Sequence, residues 1–274
     1  MKKFIAILLS AFLLVSTVAL SSCGEKEDEK AVLTVATNAN FPPYEYMEGD
    51  EYAGIDIEIA QKLADKLGMT LKIENVEFGS IIGGVQTGKF DMGIAGMTVT
   101  DERKESVNFT ESYATGIQSV IVSYSSDYKS VDDFYNMDEN GNYISVKEGV
   151  KIAVQQDTTG DIYASDTVEN FGFGEENILR FKNGADAVQA LETGKCVAVI
   201  IDDAPARSFV TASLGLRILE GAYTNEDYAI CVQKENTDLL EKLNQALKEL
   251  KEDGTIDAII NKYIPANSTA SAAE

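Results

Sequence analysis

The sequence predicts an α/β protein made of two facing lobes, and three observations carry that prediction. Strand-like segments rich in β-branched residues alternate with amphipathic helical ones from residue 32 onward, a rhythm that implies a largely parallel sheet. The same rhythm resumes after about residue 150. Finally, one plan occurs twice. Residues 82–96 read IGGVQTGKFDMGIAG and residues 187–202 read AVQALETGKCVAVIID; each is a helix end, then TGK, then a buried strand, then polar residues. The Gly of TGK suits a helix C′ position with positive φ, and the Lys suits the negative end of the helix. Two common βα turns can also match by chance. As a shared plan, however, they describe two α/β units that face each other, and ligands of open α/β sheets bind off the carboxyl ends of the strands.

Composition bounds the function. A chain of 274 residues allows one large domain or two ordinary ones. With 25% charged and 45% hydrophobic residues it is globular, not disordered. Lys plus Arg is 23 and Asp plus Glu is 45, a net charge of −22, which argues against gripping nucleic-acid phosphates. Histidine is absent, so a Ser-His-Asp triad, a Cys-His dyad and a histidine-ligated metal are all excluded. Three cysteines without a CxxC are too few for a zinc site or a disulfide scaffold. No cofactor and no metal are expected.

The chain opens on a targeting segment. Residues 1–22 carry Lys2 and Lys3 and no acid, and residues 4–20 are an apolar run, the pattern of a secretory signal. The run ends at Leu20-Ser21-Ser22-Cys23-Gly24. Small residues before a cysteine at that place resemble a bacterial lipobox, in which the cysteine is acylated and the signal is cut before it. Residues 23–32, including EKEDEK, then read as a charged tether. A membrane-spanning helix would need a longer run.

Val32–Thr37 (VLTVAT) reads as a strand. Ile55–Leu67 reads as a helix, with Ile55, Ile59, Leu63 and Leu67 four apart and Gly68 as its stop. Residues 71–76 are a second strand, Ile81–Gln86 a short helix and residues 90–95 a third strand. In the second half, residues 150–154 and 197–201 are strands around a helix at 185–192. Leucines at 239, 240, 243, 247 and 250 mark a long helix; Gly254 breaks it and Thr255–Tyr263 is the last one. Residues 132–142 read as a solvated loop and residues 266–274 as a flexible tail. Cys196 and Cys231 lie in apolar runs and read as buried free thiols. Two motifs are decoys. Residues 83–89 fit GxxxxGK but are followed by Phe90 and precede a strand, unlike a phosphate-binding loop. Asp138, Asn140 and Asn142 have calcium-loop spacing, but Tyr143 and Gly149 stand where Gly and Glu are required.

The residues after the strands carry the chemistry. The first strand leads into Asn38-Ala39-Asn40-Phe41-Pro42-Pro43-Tyr44-Glu45-Tyr46, a stiff loop with an aromatic wall. The third leads to Gly96, Thr98 and Arg103, which offer a bare backbone N–H, a hydroxyl and a planar fork matched to a carboxylate. In the second half, Gln155-Gln156-Asp157-Thr158-Thr159-Gly160 forms a polar turn, and Asp202 ends a strand. An arginine and a carboxylate presented from two facing sheets match a zwitterion. On the residues alone, Arg103 also reads as a helix-start arginine paired with Asp101 or Glu102. Asp202 reads equally as a helix cap with Asp203 as its rival, and the aromatics as core.

These stretches resemble bacterial extracellular solute-binding proteins of family 3, the polar amino-acid-binding partners of ABC importers. VATNANFPPYEY, YAGIDIEIAQKLADKLG, VEFGSIIGGVQTGKFDMGIAGMTVTDERKESVNFTESYATG, VQQDTTGD, AVIIDDAPA and LKEDGTIDAIINKY carry the match from residue 32 to 265. The resemblance implies a two-lobed, type II periplasmic-binding-protein fold with two hinge strands. Lobe 1 would be residues 33–119 and 228–265, and lobe 2 residues 120–227. It implies an extracytoplasmic, lipid-anchored protein that is no enzyme, is a monomer, and passes a polar amino acid to membrane permease subunits. Phe41 and Phe78 would sandwich the ligand side chain. Gly96, Thr98, Arg103 and Thr159 would take its α-carboxylate, and Asp202 its ammonium group. Asn38 stands where the family often has Asp, which leaves the charge preference open; proline placement leaves Asp202 and Asp203 both open. The alternative is a dehydratase-type enzyme on the same scaffold, with Glu45 or Glu77 as its acid.

If Cys23 carries lipid, Cys23→Ala is expected to move the protein from the membrane fraction to the soluble one with ligand binding intact. Mass spectrometry showing an unmodified Cys23 in membrane-extracted protein would reject the lipid. Stable anchoring takes at least two chains.

Overall fold

The computed structural model describes residues 30–220 and 225–265. The expected signal, Cys23, most of the tether, the tail at 266–274 and residues 221–224 lie outside the described residues. Along the chain come β1 (Val32–Thr37), a three-stranded ribbon of β2 (Asn40–Phe41), β3 (Glu45–Glu48) and β4 (Glu51–Ala53), then α1 (Ile55–Leu67), β5 (Thr70–Asn75), α2 (Ile81–Gln86), β6 (Met92–Gly93), α3 (Asp101–Ser106), β7 (Val107–Phe109) and the long β8 (Ala114–Ser123). Next are β9 (Tyr135–Met137), β10 (Tyr143–Val146), β11 (Ile152–Gln155), α4 (Thr159–Ser165), β12 (Ile178–Phe181), α5 (Gly184–Glu192), β13 (Ala198–Asp202), α6 (Asp203–Ala212) and β14 (Leu216–Ile218). The chain closes with β15 (Asn225–Tyr228), β16 (Cys231–Gln233), α7 (Thr237–Glu252) and α8 (Thr255–Tyr263).

The first sheet has the order β5-β1-β6-β16-β7 and the second β12-β11-β13-β8-β14. Each is parallel on one side only. β1 runs parallel to β5 and β6, and β11 to β12 and β13, whereas β16 and β8 are antiparallel to their neighbours. The expected parallel sheets are therefore half right. β8 reaches the second sheet from the first half of the chain, and β16 returns to the first sheet after the second, so each enters reversed.

Periodicity fixes the packing. In α1 Ile55, Ile59 and Leu63 are fully buried, and in α7 Leu239, Leu243, Leu247 and Leu250 turn inward against the first sheet. Each such side chain removed from water contributes about 1.5–3 kcal/mol. The two TGK glycines, Gly88 and Gly194, have φ of 72° and 71°, the left-handed helix stop the sequence called for. The third strand is shorter than expected, Met92–Gly93, although Asp91 and Ile94 still donate N–H bonds to Thr34 and Ala36 of β1.

The segment at 132–142 is a solvated turn only at its exposed tip, 136–142, and not at its start. Phe134 and Tyr135 are buried, Tyr135 stacks on Tyr143 at 4.2 Å between ring centroids and on Phe173 at 5.0 Å, and β9 pairs with β10. The aspartate of the calcium-like pattern makes the turn instead: Asp138 Oδ1 accepts the N–H of Asn140 and of Asn142, as Asp does in Asx turns. Cys196 and Cys231 are buried and free, one beside each sheet; burial pushes their thiols up to about 11 and about 12.

Two strands carry the chain between the sheets. β8 pairs antiparallel with β15, with Gly116 opposite Glu226 and Ala114 opposite Tyr228. A Cβ at Gly116 would lie 2.3 Å from the Tyr228 hydroxyl and 2.4 Å from its ring carbon. Gly116→Ala is expected to cost about 1–3 kcal/mol through overpacking, seen as a lower urea midpoint. An unchanged midpoint would show that Tyr228 has room to move.

Candidate functional site

The carboxyl ends of β1, β6, β11 and β13 meet at one cavity between the two sheets. Asn38, Phe41, Phe78, Gly96, Thr98 and Arg103 line it from the first sheet, and Thr159 and Asp202 from the second. The fold brings all eight sequence-selected residues together. Glu45 and Gln155 line it too. Glu77, the other acid considered, is exposed and pairs with Lys182 at 2.6 Å.

Arg103 stands in α3, which Thr100 caps by accepting the Arg103 N–H at 3.1 Å. Its guanidinium is buried and ignores its acidic neighbours: Asp101 pairs with Lys104 instead. Nη1 donates to the Thr98 carbonyl at 2.7 Å, Nη2 to the Asp157 carbonyl at 3.0 Å, and Cζ lies 5.2 Å from the centre of the Phe78 ring. Burial lowers its pKa, and the nearby charges of Glu226 and Asp202 work the other way. Asp157 carries φ of 65°, a strained backbone for a non-glycine residue, at the turn whose carbonyl meets Arg103.

Asp202 ends β13 and is buried. It holds the N-cap position of α6 without a capping bond and accepts the Tyr228 hydroxyl instead. Burial first, then the charge of Glu226, lifts its pKa to about 7. Asp203 is spent elsewhere, on Ser119 at 3.1 Å and Arg207 at 2.7 Å, and does not line the cavity. Of the two neighbours, Asp202 is the one that faces the cleft.

The expected bare N–H of Gly96 is taken. It donates to Asp56 Oδ2 at 2.7 Å. What Gly96 provides is room, since a Cβ there would come 2.9 Å from the Phe41 ring. Asp56 also accepts the Tyr113 hydroxyl at 2.9 Å, and its burial raises it to about 7. Beside it, Glu45 is fully buried, and neither of its oxygens takes a hydrogen bond from a described residue. Burial and the charge of Asp56 hold its carboxyl well above the usual carboxylate range.

The cleft is shut. Gln155 Nε2 donates to Asn38 Oδ1 at 3.0 Å across it, and the Arg103–Asp157 and Lys182–Glu77 contacts also join the two sides. Its own side chains nearly fill it, leaving about 10 Å3 for the centre of a water molecule. Nothing larger than water fits between the sides as they stand. Sequence reasoning passed over Gln155, Glu226 and Tyr228 as site residues and named Glu45 only by location. Glu45 follows buried Tyr44 and pairs opposite buried Phe41 in the ribbon, and the aromatics around it were its one local signal. Among the described residues no group of three or more His, Cys, Asp and Glu side chains is arranged to hold a metal.

The model of the bacterial extracellular solute-binding proteins, family 3, matches residues 33–266. The chain is 28% identical to the arginine-binding extracellular protein ArtP of Bacillus subtilis (strain 168), over 96% of this chain and 98% of that one. Among solved structures it resembles an ancestral arginine-binding protein bound to arginine, with 34% identity and a TM-score of 0.75 over 86% of this chain and 99% of the other. It also resembles the ancestral amino acid-binding protein AncCDT-1, a precursor of cyclohexadienyl dehydratase, with 30% identity and a TM-score of 0.71 over 85% and 95% of the two chains.

The raised carboxyls of Glu45, Asp56 and Asp202 fix a sign. Between the unfolded carboxyl value of about 4 and about 7, the folded state holds protons that the unfolded chain has lost, so stability falls as pH rises. Thermal unfolding of ligand-free protein is expected to show this decline, and Asp202→Asn to make it shallower. An equal slope in the variant would mean that Asp202 does not titrate in this range.

Proposed function

Because the chain belongs to the bacterial extracellular solute-binding proteins of family 3, we propose that it is the extracytoplasmic substrate-binding component of an amino-acid ABC importer. In this reading it clamps its ligand between lobe 1 (residues 33–119 and 228–265) and lobe 2 (residues 120–227) and hands it to the permease. It is a monomer without catalytic activity, held at the membrane by lipid on Cys23; no helix among the described residues is long and apolar enough to span the bilayer. The observation that carries the proposal is the meeting of buried Arg103 and buried Asp202 in one cavity, from opposite sheets. That pair matches the two ends of a zwitterion. Arg103 and Thr159 take the carboxylate; Thr98, expected beside them, gives its hydroxyl proton to Glu226 and turns lone pairs to the ammonium end instead. Asp202 takes the ammonium, and Phe41 and Phe78 flank the side chain, with Gly96 leaving space for Phe41.

The ligand we favour has a cationic side chain, and L-arginine is the first choice. Arg103 and Asp202 balance a zwitterion, which leaves Glu45, beside Asp56, as an additional buried acid in the cavity that accepts no hydrogen bond from a described residue. The Asn38 carbonyl oxygen becomes a further acceptor once Gln155 is displaced. A guanidinium, with five donors in a planar fork, suits both. The relatives whose names specify arginine point the same way. A dehydratase would have to use Glu45 as its acid, since Glu77 is outside the cavity.

Closure follows from the same contacts. Cross-cleft bonds such as Asn38–Gln155 hold the shut form, and a ligand that touches both sides replaces them and favours closure by its differential affinity.

Calorimetry tests the assignment. Arg103→Ala is expected to weaken L-arginine binding by several kcal/mol, about 2–5, and Arg103→Lys to restore only part. Glu45→Gln is expected to cut L-arginine affinity and leave L-glutamine affinity much less changed. Wild-type affinity in a folded Arg103→Ala variant would reject the clamp, and equal losses for both ligands in Glu45→Gln would reject the cationic preference.

A further inference from the structure

Each crossing strand buries one polar side chain at the back of the cleft: Gln118 of β8 and Glu226 of β15. Glu226 Oε2 accepts from Thr98 Oγ1 at 2.9 Å and from Gln118 Nε2 at 3.0 Å. Gln118 Nε2 lies 3.3 Å from Thr159 Oγ1, which is 3.5 Å from Thr98 Oγ1. Four side chains thus close a ring that joins the loop after β6, both crossing strands and the start of α4.

The ring has a polarity. A threonine hydroxyl owns one proton. While Glu226 accepts it, Thr98 offers the cleft lone pairs, which suit an ammonium group and not a carboxylate. Thr159 has the opposite character. It accepts from Gln118, and because Thr98 has given its proton to Glu226, Thr159 is the hydroxyl of the two that has a proton to donate, to Thr98 across 3.5 Å or to a ligand that displaces that contact. Glu226 is placed to impose this arrangement, because its strand is one of the two that cross between the sheets.

We infer that Glu226 is a positioning residue for ligand binding: through Thr98 and Gln118 it sets the hydroxyl polarity of the cleft, and it places a second negative charge behind Asp202, so that this end selects the ligand's ammonium group. The inference rests on the amino-acid-binding reading above. It also has a titration signature. The groups facing Asp202 are Tyr44 and Glu45 from the ribbon, Arg103 from α3, Tyr163 from α4, and Glu226 and Tyr228 from β15. After burial, the charge of Glu226 is the next cause holding the Asp202 carboxyl up. An ammonium ligand binds the ionised form, so affinity falls as pH falls through about 7.

Calorimetry with L-arginine from about pH 5.5 to 9, a range that brackets that titration, tests the inference on the whole protein. Glu226→Gln keeps size and an acceptor but loses the charge. It is expected to bind about tenfold more weakly at the alkaline end and to shift the acid limb of affinity down by about one pH unit. Glu226→Asp, which keeps the charge but not the reach, is expected to leave the limb in place and still lose affinity. In the double variant Glu226→Gln, Thr98→Val the losses are expected to sum to less than their parts, as they must if Glu226 acts through Thr98. An acid limb in Glu226→Gln that coincides with the wild type overturns the inference, as do additive losses in the double variant. If Glu226→Gln does not fold, wild-type affinity in Glu226→Asp overturns it instead. Wild-type protein that binds neither L-arginine nor any other of the common amino acids brings down the functional reading itself, an outcome distinct from these.

Discussion

Among the described residues, one buried guanidinium shares the cleft region with four buried carboxyls: Arg103 with Glu45, Asp56, Asp202 and Glu226. That imbalance governs much of the local structure. A buried acid must be paired, hydrogen-bonded or protonated. Asp56 draws in the Gly96 N–H and the Tyr113 hydroxyl, Asp202 the Tyr228 hydroxyl, and Glu226 the Thr98 and Gln118 donors. Tyr228, Gln118 and Glu226 all lie on the two crossing strands, so satisfying the acids and joining the sheets are one task. Glu45 has no donor among the described residues, and burial with the charge of Asp56 beside it holds its carboxyl well above its usual range.

The global charge of −22 has a different origin. Most acids among the described residues are exposed, and the few that pair with a cation, such as Glu249 with Lys66 and Asp238 with Lys242, contribute little each. Arg180 is the exception. It grips buried Asp161 through Nε and Glu175 through both terminal nitrogens, which fixes the start of α4 beside Thr159. The local excess around the cavity, not the surface total, is what bears on ligand charge.

Elements with a strong local signal were legible in the sequence. Val32–Thr37, Ile55–Leu67, Ile81–Gln86 and Thr255–Tyr263 fall where periodicity and glycine stops put them. Arg103 and Asp202 were legible because the ends of strands in α/β sheets are where ligands sit. Glu226 was not, because nothing local distinguishes an acid in NEDY from a solvated one; only pairing β15 against β8 buries it. The β9–β10 hairpin escaped notice because acids and asparagines at its turn mask the inward aromatics on either side. The Gly96 N–H looked free because its partner, Asp56, comes from a helix forty residues earlier, a contact no spacing rule reveals.

The two thiols have a consequence for where this chain can fold. Cys196 and Cys231 are enclosed by separate sheets, and burial keeps both protonated, whereas only the thiolate attacks disulfides or oxidants readily. No cross-link among the described residues holds the architecture together, and neither of these two thiols is offered to the surroundings. The folded core is therefore indifferent to redox potential. As far as these two thiols are concerned, it can form in a reducing compartment or an oxidising one and present the same cleft in both.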